Sequence, residues 1–269
     1  MTGGNPQLLE RYELKFTIPF DMIDPISRFA SIYCSPDRHS VAVRGGFYRV
    51  HNLYLDTPGL LFLRNRRHRV PSRFNMRVRS YGNEPALPFF LEVKQRVGGV
   101  IRKYRAPVRN PDWHRVFTEP GSAALERGET PIQVRNRELF ERLVLSYQAR
   151  PWILTQYVRK AWVSDVDDYA RVTFDVDLRF AERREWDPVP DDSAMQHYDL
   201  PASFDPGCSV ILELKCCASR VPLWMVDLIH TFSLRRRSFS KYMFGMGELL
   251  TARVHDPATR VATAETTRC

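Results

Sequence analysis

The sequence has 269 residues and a mass of 31.4 kDa, the size of one large domain or two small ones. Hydrophobic residues make up 43% and charged residues 26%, a composition that excludes disordered and fibrous proteins. The 40 Lys and Arg residues outnumber the 31 Asp and Glu residues. This surplus indicates an anionic partner, which could be nucleic acid, a membrane surface or a phosphate-rich small molecule.

The lack of an apolar targeting segment and the pattern of cysteines both favour a cytoplasmic location. No uncharged apolar segment approaches the ~18–20 residues that a membrane-spanning helix needs, and Glu10 and Arg11 lie where a secretory signal would be apolar. The five cysteines form no C-x-x-C pair and no zinc-binding spacing, which is typical of free thiols in a reducing compartment. We therefore expect a cytoplasmic protein without a membrane span of its own.

Three helices are predicted in chain order. The first follows Pro19, with Asp21 as its N-cap and apolar side chains on one face. The second begins at Thr130, which is followed by a proline in the first helical position, and ends near Ala149. The third spans Val221 to Phe232. Their apolar stripes predict that all three pack on a core.

Strands carry the stronger signal, because seven segments alternate between apolar and polar residues with a period of two. These segments are Arg11–Ile18, Arg73–Tyr81, Phe90–Arg96, Ile101–Pro107, Ile153–Val163, Tyr169–Arg179 and Ser209–Cys217. One parity of each segment is largely apolar and the other is charged. The pattern predicts an antiparallel sheet with one apolar face.

The charged parity of these segments is strongly basic, with thirteen bases against five acids. The bases are Arg11, Lys15, Arg73, Arg77, Arg79, Lys94, Arg96, Lys103, Arg105, Arg159, Arg171, Arg179 and Lys215. The acids are Glu13, Glu92, Asp175, Asp177 and Glu213. Two interpretations stay open at this point: a solvated face of an open sheet, or the lumen of a barrel whose apolar face lies under helices.

Three of the strands contain a Glu-x-Lys motif, at Glu13, Glu92 and Glu213. Both side chains of such a motif lie on the same face of a strand. The carboxylate can then hold a divalent cation while the ammonium contacts a phosphate that the cation bridges. Arg77-x-Arg79 and Lys103-x-Arg105 repeat the spacing with two cations. Five such pairs together indicate a phosphate-binding face.

These motifs, with four further ones, resemble the VTC catalytic domain over Glu10 to Leu250. The further motifs are Tyr54-x-Asp56-Thr57, Tyr157-x-Arg159, Arg171 and Ser240-Lys241-Tyr242. That domain is the polyphosphate polymerase of the triphosphate tunnel metalloenzyme (CYTH-like) superfamily. The resemblance implies an α+β fold: a closed antiparallel β-barrel, the triphosphate tunnel, with helices packed on the outside. It also implies one tunnel domain over residues 1–250, and we expect a flexible C-terminal tail over residues 251–269.

The resemblance further implies transfer of the γ-phosphoryl group of ATP to polyphosphate, with Mn²⁺ or Mg²⁺ as the divalent metal. Its catalytic residues would be Lys15, Arg77, Arg79, Lys94, Arg159 and Arg171. Its substrate-binding residues would be Lys103, Arg105, Lys215, Ser240 and Lys241. Its metal ligands would be Glu213, Glu13 and Glu92. The expected partners are ATP and polyphosphate or pyrophosphate. A membrane protein that receives the product is a further partner that the resemblance leaves open.

One departure from the superfamily bears on the reaction. Many hydrolytic members begin with a further glutamate where this sequence has Arg11, which favours the polymerase branch. The eukaryotic vacuolar subunits also have an accessory domain before the position of Glu10 and membrane segments after that of Leu250, so we expect this sequence to be a free-standing, bacterial form. The alternatives are a metal-dependent inorganic or nucleoside triphosphatase, in which Glu13 or Glu92 could orient water, and a non-catalytic polyphosphate-binding module. We expect no nucleic acid partner, because aromatic residues such as Phe174 mostly lie on the apolar parity.

Overall fold

The computed structural model describes residues 11–98, 100–119, 128–167, 169–198, 207–217 and 220–255. Within these residues, ten strands form one antiparallel sheet. The strands are β1 (Arg11–Ile18), β2 (Cys34–Pro36), β3 (Tyr48–Asp56), β4 (Arg73–Tyr81), β5 (Phe89–Val97), β6 (Val100–Val108), β7 (Arg150–Ser164), β8 (Ala170–Glu182), β9 (Gln196–His197) and β10 (Val210–Cys217). All seven predicted strands are present, with ends shifted by a few residues.

The main sheet has the order β1-β10-β8-β7-β3-β4-β5-β6, with β2 paired to β7 and β9 paired to β8. It curls so strongly that Lys94 Nζ on β5 lies 2.5 Å from a Glu13 carboxylate oxygen on β1. Among the described strands, however, β1 and β6 form no ladder with each other. The predicted closed barrel is therefore wrong, and the sheet is a half-barrel with a concave face.

Both edge strands of the half-barrel form hydrogen bonds with other parts of the chain. At β1, the carbonyl oxygen of Lys15 accepts a hydrogen bond from the backbone N–H of Arg237, at 2.7 Å. At β6, the carbonyl oxygen of Arg105 accepts one from the side-chain amide of Asn136, at 3.0 Å. Backbone groups that would otherwise pair across the opening are satisfied elsewhere.

Seven α-helices surround the sheet in the described part of the chain. They are α1 (Ile23–Ala30), α2 (Arg38–Val41), α3 (Leu61–Arg67), α4 (Arg115–Thr118), α5 (Pro131–Tyr147), α6 (Leu223–Thr231) and α7 (Lys241–His255). The three predicted helices correspond to α1, α5 and α6. A 3-10 turn over Phe20–Met22 precedes α1, so Asp21 lies in that turn and is not an N-cap. Thr130 caps α5 through a capping box with Gln133.

The last helix, α7, extends five residues into the predicted tail, and residues 256–269 lie outside the described residues. No helix among the described residues is long and apolar enough to cross a membrane.

The apolar parity of the strands packs outward against the helices. Ile26 of α1 and Leu228 of α6 are buried against Val172 and Leu212 of the sheet. Phe140 of α5 is buried in another cluster, with apolar side chains of β4, β5 and β7. Burial of each such side chain contributes about 1.5–3 kcal/mol to the free energy of unfolding. The charged parity is thereby left on the concave face, as the lumen interpretation requires.

Candidate functional site: two ionic clusters on the concave face

The first group of charged side chains, which we call the Glu92 cluster, lies on β4, β5 and β6. Its members are Glu92, Arg77, Arg79, Lys103 and Arg105. The carboxylate of Glu92 lies 2.6 Å from Arg77 Nη2, 2.7 Å from Lys103 Nζ, 3.5 Å from Arg105 Nε and 3.9 Å from Arg79 Nε. Strand register produces this contact, because Arg77 and Arg105 are the two cross-strand neighbours of Glu92.

Charge is strongly unbalanced in the Glu92 cluster, because one carboxylate serves four cations. Burial alone would raise the pKa of Glu92, but Arg77 and Lys103 lead the cations that hold this pKa well below its usual value. Burial lowers the pKa of Lys103 to about 7, helped by repulsion from the three arginines and opposed by Glu92. The cluster is therefore suited to binding a polyanion that supplies the missing negative charge.

The second group, the Glu213 cluster, consists of Glu13, Lys15, Arg159, Asp175, Glu213, Lys215 and Lys241. Its centre is the carboxylate of Glu213, which lies 2.5 Å from Lys215 Nζ and 3.0 Å from Lys15 Nζ. Arg159 at 3.7 Å and Lys241 at 3.9 Å complete its surroundings. Burial would raise the pKa of Glu213, but these four cations, Lys15 foremost, hold it well below its usual value.

The Glu213 cluster contains two further carboxylates. Asp175 binds Arg159 through two hydrogen bonds of 2.6 and 2.7 Å, and it accepts a third, of 2.5 Å, from Lys241 Nζ. Glu13 lies 3.3 Å from Lys15 Nζ and also pairs with Lys94 of β5. The sequence interpretation counted Asp175 among the charged residues of the sheet but did not place it in the site. Its role as the shared partner of Arg159 and Lys241 depends on contacts that are distant in sequence.

Helix α7 contributes Lys241 as its first residue, preceded by Ser240. The hydroxyl of Ser240 accepts a hydrogen bond from the N–H of Met243 at 3.4 Å. The ammonium of Lys241 lies 4.4 Å from the ring centroid of Tyr157, in addition to its contact with Asp175. Ser240 itself therefore caps the helix that carries Lys241.

A buried clasp fixes the start of α7 to the end of β3. Tyr242 donates a hydrogen bond from its hydroxyl to the Asp56 carboxylate, and both residues are buried. The same carboxylate accepts backbone N–H groups from Thr57, Phe62 and Leu63 at 2.7 to 2.9 Å, around the start of α3. Because Tyr242 follows Lys241 directly, Asp56 fixes the position from which Lys241 enters the site.

Three polar residues that sequence reasoning did not place in the site orient the arginines of β4. Asn52 of β3 accepts a hydrogen bond from Arg79 Nε at 2.8 Å, and Tyr157 accepts one from Arg79 Nη2 at 3.3 Å. Tyr54 accepts one from Arg77 Nη1 at 3.1 Å. Asn52 and Tyr54 lie on β3, a strand buried along nearly its whole length.

Not every predicted residue lies in these clusters. Arg171 is exposed at the start of β8, next to Lys215 in register, and makes no ion pair within the described part of the chain. Conversely, Arg66 of α3 was not predicted. Its charge acts on Lys15, and its Nε has no hydrogen-bond partner among the described residues. Burial lowers the pKa of Arg66. The side chain of Arg11 lies outside the described residues.

The predicted divalent metal can be tested against the carboxylates present. Within the described ranges, no group of three or more His, Cys, Asp or Glu side chains could hold a metal ion. Glu13 and Glu213 nevertheless share the Lys15 ammonium, at 3.3 and 3.0 Å. One or two carboxylates are typical for Mg²⁺ that also binds substrate phosphates. These two residues fit a cation that arrives with phosphate, whereas Glu92 shares none of its four basic partners with a second carboxylate of the described residues and does not.

A comparison with protein families shows to which family the chain belongs. Residues 10–250 match the model of the VTC domain. The chain belongs to the VTC domain family. The match includes both ionic clusters and the start of α7, so the resemblance inferred from the sequence is confirmed. Membership of this family suggests a polyphosphate-related triphosphate tunnel fold.

Solved structures with similar folds share little sequence with this VTC domain. A candidate adenylate cyclase from Bacillus halodurans has 12% identity and a TM-score of 0.46, with 86% of this chain and 94% of that chain covered. The PH1819 protein from Pyrococcus horikoshii has 9% identity and a TM-score of 0.42, with 89% and 99% covered. A candidate adenylate cyclase from Vibrio parahaemolyticus has 9% identity and a TM-score of 0.44, with 87% and 96% covered. No curated protein matches the sequence.

Proposed function

We propose that this VTC domain is an ATP-dependent polyphosphate polymerase that transfers the γ-phosphoryl group of ATP to a growing polyphosphate chain. The observation that supports the proposal is the Glu92 cluster, where four cations surround one buried carboxylate. Such a surplus of positive charge around a single buried carboxylate is costly without an anion, because the four cations repel one another. A chain of phosphates, with about one negative charge on each unit, is the kind of ligand that would offset it.

The roles of the cations follow from phosphoryl-transfer chemistry, which depends mostly on positioning and charge stabilisation. The Glu92 cluster would hold phosphates on one side of the concave face. Lys15, Lys94, Arg159, Lys215 and Lys241 would hold them on the other side. Arg171 would contact phosphates at the exposed start of β8. A terminal phosphate of polyphosphate is already ionised near neutral pH, so no side chain is needed as a general base.

A divalent cation, Mn²⁺ or Mg²⁺, would neutralise charge on the phosphates when it is bound. Glu213 and Glu13 would hold it, because both carboxylates contact the Lys15 ammonium on the concave face. The protein's own part is to orient the phosphates. Arg159 and Lys241 are fixed for this task by Asp175, and Arg77 and Arg79 by Tyr54, Asn52 and Tyr157.

The experiment that tests the proposal incubates the pure protein with ATP and either Mn²⁺ or Mg²⁺, and separates the products by length. We expect a ladder of polyphosphate together with ADP. The double variant Arg77→Met/Arg79→Met should lose the ladder. The matched control Arg142→Met, an exposed arginine on α5, should retain it.

Other product patterns would contradict polymerase activity. Phosphate release in proportion to ATP consumed, without polymer under any metal, would favour the triphosphatase alternative. Binding of tripolyphosphate without any turnover of ATP would favour a non-catalytic polyphosphate-binding module.

A further inference from the structure

Four aromatic rings meet at one side of the Glu92 cluster. They belong to His39 of α2, Tyr48 of β3, Tyr81 of β4 and Phe90 of β5, and we call them the aromatic cluster. The rings of His39 and Tyr81 are stacked, with centroids 4.7 Å apart and planes inclined by 17°. Tyr48 contacts His39 at 5.1 Å, and Phe90 contacts Tyr81 edge-on at 5.8 Å.

Arginine side chains connect the aromatic cluster to the phosphate-binding cations. The guanidinium of Arg105 lies 3.8 Å from the ring centroid of Phe90 and donates a hydrogen bond to the Tyr81 hydroxyl at 3.2 Å. The guanidinium of Arg79 lies 6.0 Å from the Tyr81 centroid. Two of the cations that contact Glu92 therefore also contact these rings, so a ligand bound to them would reach the aromatic cluster.

The aromatic cluster is only partly enclosed by the protein. His39, Tyr81 and Phe90 are half-buried, whereas Phe89, the neighbour of Phe90, is buried in the outer hydrophobic core. The charges of Arg105 and Arg171 act on His39 as well, and burial is the largest cause that lowers its pKa. Neutral, half-buried rings beside guanidinium groups are a typical surface for stacking a nucleobase.

A linear polyphosphate has no ring and gains nothing from such a surface. A nucleoside triphosphate gains a stacking contact for its base while its phosphates bind the arginines. We propose that the base of the nucleotide packs on the aromatic cluster, with its phosphates running past Arg105 and Arg79 into the Glu92 cluster. This inference rests on the proposed function and assigns the side of the concave face on which the nucleotide binds.

Comparison of ATP with tripolyphosphate distinguishes the contribution of the base to binding affinity from the contribution of the phosphates. Dissociation constants of both ligands are measured by calorimetry, in the presence of Mg²⁺, for the full chain and four variants. In His39→Ala, we expect the dissociation constant of ATP to rise on the order of tenfold, which is within the range of one lost base–aromatic contact. That of tripolyphosphate should not change.

Two variants make this result specific. His39→Phe retains a ring and should bind ATP nearly as well as the native chain. His68→Ala, which removes an exposed histidine at the end of α3, should bind both ligands as the native chain does. Since stacking accepts every base, GTP should bind about as tightly as ATP.

Two outcomes would overturn the inference: equal loss of ATP and tripolyphosphate affinity in His39→Ala, or no loss of either. Phe90→Leu guards against misfolding of the first variant, because it removes a second ring while keeping an apolar side chain. It should weaken ATP alone. If the native protein bound neither ligand, the proposed function itself would fail. If it bound both ligands tightly and equally, only the inference about the base would fail.

Discussion

The two ionic clusters lie on the same face of one sheet but differ in their carboxylates. The Glu92 cluster has one carboxylate for four cations. The Glu213 cluster has three carboxylates, and each of them is paired with at least two cations. Phosphate alone can complete the first cluster, whereas the second has oxygen ligands to offer a hard cation. Under the proposed function, one side of the concave face would therefore bind phosphate and the other would bind phosphate together with the metal.

This comparison also predicts how ligand affects stability. In the ligand-free protein, the cations of the Glu92 cluster repel one another, and this repulsion adds to burial, the largest cause, in lowering the pKa of Lys103. A polyanion that binds only the folded state would stabilise it in proportion to the logarithm of ligand concentration. The Glu213 cluster is closer to neutral, so its contribution to stability should depend less on ligand.

Removal of the single carboxylate tests the Glu92 cluster. Glu92→Gln leaves four cations without their buried counter-charge, of which Arg79 is buried and the other three are half-buried. Loss of one partner of a buried ion pair costs about 3–5 kcal/mol. We expect the free energy of unfolding to fall by an amount of this order in the absence of ligand, measured by urea denaturation. Saturating tripolyphosphate should restore most of it. If the variant were equally unstable with tripolyphosphate, Glu92 would serve packing and not phosphate binding.

The corresponding change in the other cluster should affect catalysis. In Glu213→Gln, we expect metal-dependent turnover to fall by roughly 10²- to 10³-fold, the size seen when a charge-stabilising group is lost. Thermal unfolding should show an intact fold. Glu138→Gln, an exposed residue on α5, is the control. Unchanged metal-dependent turnover in Glu213→Gln would transfer the metal role to Glu13 or Asp175.

Local sequence pattern was sufficient for the strands that carry both clusters. Alternation with a period of two located β1, β5 and β10, and the Glu-x-Lys motifs placed their charges on one face. Cross-strand pairing of Lys15 with Glu213 then follows from the antiparallel register. These features depend on residues that are close in sequence, so periodicity reveals them.

Features that depend on distant contacts were not predictable in the same way. Strand β3 pairs with β4 on one side and β7 on the other, and it is buried on both faces. Its sequence therefore shows no alternation of apolar and polar residues. Closure of the sheet was predicted wrongly, because nothing in the pattern of β1 or β6 shows that Arg237 and Asn136 cover their edges. The pairing of Asp175 with Lys241 joins residues that are 66 positions apart.

The clasp between Asp56 and Tyr242 affects the Glu213 cluster indirectly, because Tyr242 directly follows Lys241 in the sequence. Tyr242→Phe removes the hydroxyl but retains the ring that stacks on Tyr54. Because Asp56 is fully buried, loss of this partner should lower the free energy of unfolding by about 1–3 kcal/mol. If the clasp also positions Lys241, the KM for ATP should rise in Tyr242→Phe, whereas Lys241→Met/Tyr242→Phe should show no further rise relative to Lys241→Met. An additive rise in KM in the double variant would show that Tyr242 does not act through Lys241.

The smallest expected effect concerns protons at the Glu92 cluster. Since the pKa of Lys103 is lowered to about 7, this side chain is mostly neutral at pH 8 in the ligand-free protein. In the unfolded chain, the same lysine has a pKa near 10.5 and is protonated at pH 8, so Lys103 makes the free energy of unfolding rise with pH between about 7 and 10.5.

Tripolyphosphate should raise the pKa of Lys103 again. Binding of tripolyphosphate therefore takes up a fraction of a proton and weakens as the pH rises above about 7. Calorimetry at pH 8 in two buffers of different ionisation enthalpy measures that uptake, which should be reduced in Lys103→Met and unchanged in Lys160→Met, a lysine outside both clusters. Equal uptake in the two variants would mean that the proton enters elsewhere on the concave face, and the charge imbalance around Glu92 would then not be what the ligand relieves.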